Sequence, residues 1–144
     1  MAAVPSVQKL TAAVRQLLDA HPSLTVYTSV VDPRPQIDED GVVEGYAVLH
    51  PGAGDDTPSA LDVQPGQLLW WFQVTCAGGD TDYAGWVVDT VRGLLTGKTL
   101  TVDGSKVGRM QPPPGYSPPM LTNTSVQPPR VSVPLQYQVL AVTA

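Results

Sequence analysis

The stretch that decides the fold is GQLLWWFQVTCAG, residues 66–78, because its aromatic and aliphatic run between glycines is typical of a β-strand. Successive side chains of a strand point to opposite faces of a sheet. One face is apolar and predicts the core: Leu68, Trp70, Phe72, Val74 and Cys76. The other face is mixed: Gln67, Leu69, Trp71, Gln73 and Thr75. Leu69 and Trp71 therefore need a cover, either the N-terminal helix or a neighbouring subunit.

A helix follows this strand directly. Asp80 is placed to cap its N-terminus, and Gly97 supplies the stop at its C-terminus. Between them a largely apolar stripe recurs at helical spacing: Tyr83, Trp86, Val87, Thr90, Val91, Leu94 and Leu95. The stripe predicts that the helix packs Trp86 onto the core face of the strand. Truncation of Trp86 to alanine would then cost about 3–5 kcal/mol of stability.

The chain also begins with an amphipathic helix. Ser6 is a suitable N-cap, and His21-Pro22 ends the helix because the residue before a proline disfavours the α region. Its apolar positions have helical spacing: Val7, Leu10, Val14, Leu17 and Leu18.

Shorter segments with strand character complete the fold. They are residues 24–31, residues 42–49, and two pieces starting at Thr99 and Lys106 that form a hairpin across Asp103-Gly104. The closing segment alternates, with Val131, Val133, Leu135, Tyr137 and Val139 inward. Pro134 points outward and has no N–H, which predicts a sheet edge or the start of a strand. The order of elements predicts one α+β domain over residues 1–144, with an antiparallel or mixed β-sheet packed against two main α-helices.

A Pro-rich loop is predicted for residues 111–130, which carry seven of the fifteen prolines. Loops of this length without secondary structure are usually functional or flexible. Prolines also reduce the entropy that an extended chain loses when it is ordered on contact. We therefore expect this loop to lie outside the core and to contact a neighbouring subunit or a partner protein. The candidate interface residues are Tyr116, Pro118 and Pro119 here, and Leu69, Trp71 and Pro134 in the sheet.

Composition and charge exclude several functions. The 144 residues suit one domain, and thirteen acidic against eight basic side chains give a net charge of −5. A uniform basic surface for nucleic-acid phosphates is therefore excluded. The N-terminal sequence MAAVPSVQKL lacks the pattern of a secretion signal, and no apolar run is long enough for a membrane span. The single cysteine excludes an intramolecular disulfide.

Residues that could carry catalysis are few. His21 and His50 are the only histidines, and Cys76 lies on the apolar face of its strand, where burial would raise its pKa. The sequence therefore predicts no enzyme, no metal site and no cofactor. Two alternatives remain. A thiol hydrolase would need Cys76 beside a histidine. A small ligand-binding module would use a pocket lined by Trp70, Trp71 and Trp86.

Three segments give the chain a resemblance to the tail terminator proteins of long-tailed, siphovirus-type bacteriophages. They are VQKLTAAVR (residues 7–15), WVVDTVRGLL (residues 86–95) and VPLQYQV (residues 133–139). The resemblance implies a homohexameric ring that caps the tail tube, stops its polymerisation and offers its opposite surface for head–tail joining, without catalysis. Its partners would be further copies of itself, the major tail tube protein and the head–tail connector protein. It would act at the head-proximal end of the virion tail, after assembly in the host cytoplasm.

In such a ring, DNA would pass through the lumen without sequence-specific binding. An acidic lumen lets the duplex slide, whereas a basic one would hold its phosphates. The candidate lumen residues are Asp38, Glu39, Asp40, Asp55 and Asp56. A head-completion or neck protein of the same virion is the alternative within the structural class, because it would share size, acidity and ring assembly.

Overall fold

The computed structural model describes residues 4–56 and 66–143. In chain order the elements are α1 (Val7–Asp19), β1 (Thr25–Thr28), β2 (Tyr46–Pro51), β3 (Gln67–Gly78), α2 (Thr81–Leu95), β4 (Ser105–Val107), β5 (Leu121–Asn123) and β6 (Arg130–Thr143). The strands form one sheet in the order β1-β2-β3-β6-β4, and β5 also pairs with β6. β1 runs parallel to β2, and the other pairs are antiparallel. A mixed sheet packed against two helices confirms the predicted α+β class, while the extent of the domain over residues 1–144 stays a prediction.

The centre of the sheet is the antiparallel pair of β3 and β6. Their register runs from Gln67 opposite Val142 to Gly78 opposite Val131. It places both predicted inward sets on one face, and none of these ten side chains is more than 5% exposed: Leu68, Trp70, Phe72, Val74, Cys76, Val131, Val133, Leu135, Tyr137 and Val139. The predicted core face is therefore confirmed.

Both helices begin as the sequence predicts. Ser6 Oγ accepts a hydrogen bond from the backbone N–H of Lys9, at 3.2 Å. Asp80 Oδ1 accepts one from the backbone N–H of Tyr83, at 2.8 Å. Each cap satisfies an N–H that has no partner within the helix.

Both helices pack on the same face of the sheet. Leu10, Val14 and Leu18 of α1 join Trp70 and Val91 in one buried cluster. The N-terminal helix therefore does not cover Leu69 and Trp71, which lie on the opposite face, and the predicted intramolecular cover is wrong. The reason is that one apolar stripe on each helix suffices to close the core face.

Trp86 is not in the core, which corrects the predicted helix stripe. Its side chain is 40% exposed, and the buried residues of α2 are Ala84, Val87, Val88, Val91 and Leu95. The helix approaches the sheet closely at Gly78, where an added Cβ would lie 2.5 Å from Cβ of Tyr83 and 3.0 Å from the backbone nitrogen of Ala84. The small Ala84 side chain is buried there. Trp86 lies at the margin instead, with its Cε3 3.6 Å from the position of an added Cβ on Gly45.

Two predicted strands have different bounds in the structure. Residues 24–31 contribute only β1, because Ser29 adopts a left-handed conformation with φ of 65° and the chain turns there. Residues 42–49 contribute only the first part of β2, which starts at Tyr46 and extends to Pro51. Val43 instead forms an isolated bridge with Ile37.

The C-terminal third is more ordered than predicted. The chain reverses at Asp103-Gly104 as expected, and isolated bridges join Thr99 to Arg109 and Val102 to Ser105, but the regular strand β4 pairs with β6. The predicted loop at residues 111–130 is not structureless, because β5 lies within it and pairs with β6. Backbone groups of β6 that β3 leaves unpaired supply the hydrogen bonds for these short strands.

We predict that truncation of Leu95 destabilises the protein more than truncation of Trp86. Leu95 is fully buried, so Leu95→Ala leaves a cavity and should cost about 2–5 kcal/mol. The partly exposed Trp86 loses less contact area, and Trp86→Ala should cost about 1–2 kcal/mol. Urea unfolding of the two variants measures both values, and a larger loss for Trp86→Ala would contradict the observed orientation of α2.

Candidate assembly surface

The outer face of the sheet, opposite the helices, carries an exposed apolar patch at one end. We call Leu69, Trp71 and Leu140 the apolar end. Leu69 pairs directly with Leu140, and Trp71 lies two residues further along β3. Trp71 is 40% and Leu140 48% exposed. Leu69 is partly buried between them. Exposed apolar side chains on neighbouring strands are typical of an interaction surface.

Acidic residues flank the apolar end. Asp55 and Leu69 exchange two backbone hydrogen bonds of 2.7 and 2.9 Å, and the N–H of Gly52 donates to the carbonyl of Trp71 at 3.0 Å. Residues 52–55 therefore lie along the margin of β3. The side chains of Asp55 and Asp56 are exposed there.

The middle of the outer face is polar. His50, Gln73 and Gln136 lie next to one another across β2, β3 and β6, and they border a small cleft of about 210 Å³ that also contacts Trp71. Gln73 Nε2 donates to Thr75 Oγ1 at 3.0 Å. This polar zone separates the apolar end from a second feature at the far end of the sheet.

The far end of the outer face holds a groove between residues 29–37 and residues 123–130, which we call the loop groove. Its volume is about 510 Å³. Tyr46, Val48 and Ala77 form the floor, and the walls include the exposed apolar side chains Val31, Ile37 and Val126. Arg34 and Arg130 add positive charge to this lining.

Tyr116 ties the Pro-rich segment to the outer edge of β6. Its hydroxyl donates to the carbonyl of Pro134 at 2.6 Å. The backbone N–H and C=O of Gln138 bond Gln111 at the edge of β6 that faces away from β3. Backbone groups of a strand alternate between its two edges, and Pro134 lies four residues from Gln138. The imide nitrogen of Pro134 therefore faces the same open edge. The predicted edge position of Pro134 is thus correct for this stretch of β6. Pro118 is half-buried, and Pro119 is exposed.

The five predicted lumen residues fall into two separate groups. The group at residues 38–40 lies near Gly78, because Asp38 binds Tyr83 and the N–H of Gly79 donates to Val43. Asp55 and Asp56 lie beside Leu69, at the other end of β3. Nine residues of extended strand separate the two ends, or roughly 30 Å. The folded subunit therefore does not bring these carboxylates together.

Asp38 also has a structural role. Its Oδ1 accepts from the N–H groups of Asp40 and Val42, at 2.9 Å each, and its Oδ2 accepts from the Tyr83 hydroxyl at 2.8 Å. The bonds from Val42 and Tyr83 hold the pKa of the Asp38 carboxyl below its ordinary value. The hydrogen bond to Asp38, with a smaller contribution from burial, raises the pKa of Tyr83 to about 12. The carboxylate thus fixes a turn against α2.

The three tryptophans do not share a pocket. Trp70 is fully buried, and its Nε1–H donates to the carbonyl of Gly52 at 2.8 Å. Trp71 lies on the outer face. Trp86 packs edge-on against His21, with ring centroids 5.6 Å apart, and borders a cleft of about 570 Å³. The carboxylates around this cleft are Asp38, Glu44, Asp80 and Asp82.

A thiol enzyme would need Cys76 beside His21 or His50, and His21 packs against Trp86. Cys76 is buried on the helix-facing side of the sheet, and desolvation raises the pKa of its thiol to about 12. His50 pairs with Gln73 on the outer face, so the sheet separates it from the thiol. Among residues 4–56 and 66–143, no three His, Cys, Asp or Glu side chains converge to hold a metal. Neither described helix is long and apolar enough to cross a bilayer.

Sequence reasoning missed two parts of this surface. Leu140 interrupts the polar outward set of the closing strand, and that apolar residue at an outward position was the available signal. The loop groove had no local signal, because residues far apart in the chain form its two walls.

Comparison with solved structures supports the fold. A chain from the virion of a native gene transfer agent particle superposes with a TM-score of 0.57 at 17% identity, covering 92% of this chain and 96% of that one. A second solved protein superposes with a TM-score of 0.53 at 19% identity, covering 96% of both chains. At these identities the shared property is the fold. No protein-family model and no curated protein sequence matches the chain.

We predict that the bond between Asp38 and Tyr83 makes stability depend on pH in two ranges. The lowered pKa of Asp38 stabilises the fold above the unfolded value of about 4, and this contribution is lost as pH falls through the lower folded value. The raised pKa of Tyr83 stabilises the fold below pH 10, and this contribution is lost as pH rises toward about 12.

Tyr83→Phe removes the hydroxyl, so the alkaline dependence should disappear. The acid dependence should become smaller but persist, because the bond from Val42 still lowers the pKa of Asp38. The urea midpoint between pH 2 and 12 measures both ranges. Tyr116→Phe is the control, because its hydroxyl donates to a backbone carbonyl that does not titrate. An unchanged pH profile in Tyr83→Phe would show that this bond is absent in solution.

Proposed function

We propose that this protein is a structural component of a phage-like virion, and that it acts as a tail terminator. In this role a ring of subunits, a hexamer by analogy, caps the tail tube, stops its polymerisation and offers its other surface for head–tail joining. The observation that carries the proposal is the fold. The structure superposes on a chain from a gene transfer agent virion over nearly the whole length of both chains. The resemblance of three sequence segments to tail terminators supports the more specific role of tail terminator.

The surface supports binding rather than catalysis. The only thiol is buried away from His50, and the exposed apolar end has the character of a protein–protein contact. The Pro-rich segment, which a hydrogen bond from Tyr116 attaches to Pro134, offers a further contact surface next to the sheet edge. Together these features suit a subunit whose activity is assembly.

The proposed partners are further copies of this chain, the major tail tube protein and the head–tail connector protein. The net charge of −5 suits a conduit through which DNA passes without being held. The proposed location is the head-proximal end of the virion tail, with assembly in the host cytoplasm. Glu39, Asp40, Asp55 and Asp56 remain the lumen candidates, whereas the carboxylate of Asp38 is already engaged in its own turn.

A small ligand-binding module is the second candidate function. The cleft beside Trp86 favours it, because an aromatic wall surrounded by four carboxylates suits an organic cation. A chain with this function would bind such a ligand without any effect on tail tubes. Titration calorimetry with organic cations, run beside the tube experiment below, separates the two functions.

We predict that Trp71→Glu abolishes capping while the subunit stays folded. A carboxylate at this exposed site would have to be desolvated in any contact. The measurement adds purified protein to polymerising tail tubes and compares tube length and end caps by negative-stain microscopy. Val4→Glu is the matched control, since Val4 is 43% exposed and precedes α1 on the other side of the sheet.

Several outcomes would redirect the proposal. Normal capping by Trp71→Glu would remove the outer face from the contact, and an unfolded variant would assign Trp71 to the core. A wild-type protein that binds completed heads or connectors but leaves tube length unchanged would instead support the head-completion or neck role.

A further inference from the structure

We propose that the loop groove of one copy receives the apolar end of a second copy, so that the outer sheet face supplies both halves of a contact between subunits. This inference deepens the proposed function, because it rests on the self-assembly stated there and names the receiving site. The sequence predicted an interface at Leu69 and Trp71, together with Pro134 and the Pro-rich segment, but it gave no receiving site for the apolar side chains. The other half becomes visible in the folded chain.

The two features match in shape and polarity. The apolar end projects a 40% exposed indole and a 48% exposed leucine from adjacent strands. The loop groove offers about 510 Å³ between walls that carry Val31, Ile37 and Val126, which are 37%, 52% and 41% exposed. Such a space suits a tryptophan side chain, and tryptophan in a desolvated pocket is a frequent anchor of protein contacts.

The two features also carry opposite charge. Asp55 and Asp56 flank the apolar end, and Arg34 and Arg130 line the loop groove. Within the described residues neither arginine forms an ion pair, and the one salt bridge there joins Arg15 to Asp19. Docking of the apolar end into the groove would bring the aspartates toward the arginines. This inference assigns Asp55 and Asp56 to the subunit contact and leaves Glu39 and Asp40 as lumen candidates. Complementary charges of this kind fix the orientation of a contact and suppress others.

A subunit cannot make this contact with itself. Trp71 and Ala77 are six residues apart on the same strand, or roughly 20 Å, and the polar zone of His50, Gln73 and Gln136 lies between them. The rigid β3–β6 pair keeps this spacing. Both halves therefore stay open in a single copy, and a second copy of the same chain is the occupant that offers the complementary shape and charge together.

Two variants each remove one half of the contact. Trp71→Glu destroys the apolar end and keeps the groove. Val126→Glu places a charge on a groove wall and keeps the apolar end, and this exposed loop position tolerates the change without unfolding. Val4→Glu introduces the same charge at a similarly exposed apolar residue outside both features.

Sedimentation equilibrium of the full chain, up to about 1 mM, measures the association. We expect wild type and Val4→Glu to self-associate, and each of the other two variants to raise the dissociation constant at least about 30-fold. An equimolar mixture of Trp71→Glu and Val126→Glu should form a one-to-one heterodimer, because one intact apolar end then meets one intact groove.

Failure of the mixture to form a heterodimer, while wild type associates, would overturn the inference. Wild type that stays monomeric up to about 1 mM would also overturn it, and would assign the groove to another occupant such as a tube subunit. Neither result tests the proposed function. The tube-length experiment tests that function independently. Loss of capping in Val126→Glu as well as in Trp71→Glu, together with heterodimer formation, supports both.

Discussion

The antiparallel pair of β3 and β6 is the constraint on which the rest of the structure depends. Twelve paired positions lock two strands of strict period-two character in register. A shift of one strand by one residue would turn its five buried side chains toward the outer face, so the register is fixed by the hydrophobic effect as well as by hydrogen bonds. This pair gives the protein one face that must be covered and one face whose cover is not supplied by the helices.

The placement of the helices on a single face determines where function can reside. Close contact at Gly78, and at Gly45 where an added Cβ would lie 2.6 Å from Val87, brings α2 tightly onto the sheet. The helices then cover the core face of the sheet. On the outer face, only loops lie against the sheet among the described residues. Its three zones follow from that division: an apolar end, a polar middle and a groove between two loops.

Side-chain hydrogen bonds hold the loops that shape this surface. Asp38 fixes the turn after residues 29–37 against Tyr83 of α2, and Tyr116 fixes the Pro-rich segment to Pro134. Both bonds join residues distant in the chain, so the surface depends on the tertiary fold. Contacts made by ordered loops lose less entropy on binding than contacts made by unordered ones.

The sequence by itself determined the helix caps at Ser6 and Asp80, the phase of β3 and β6, and the α+β class, because each rests on local spacing that the fold preserves. Tertiary packing alone decided which side of α2 is buried. A helical stripe through Trp86 and one through Ala84 and Val88 are both apolar, and the fold buries the second while the indole stays partly exposed. Tertiary packing also placed both helices on one face of the sheet, which left Trp71 exposed on the other face. The loop groove arose from residues nearly a hundred positions apart, which no local pattern relates, because only the sheet brings them together.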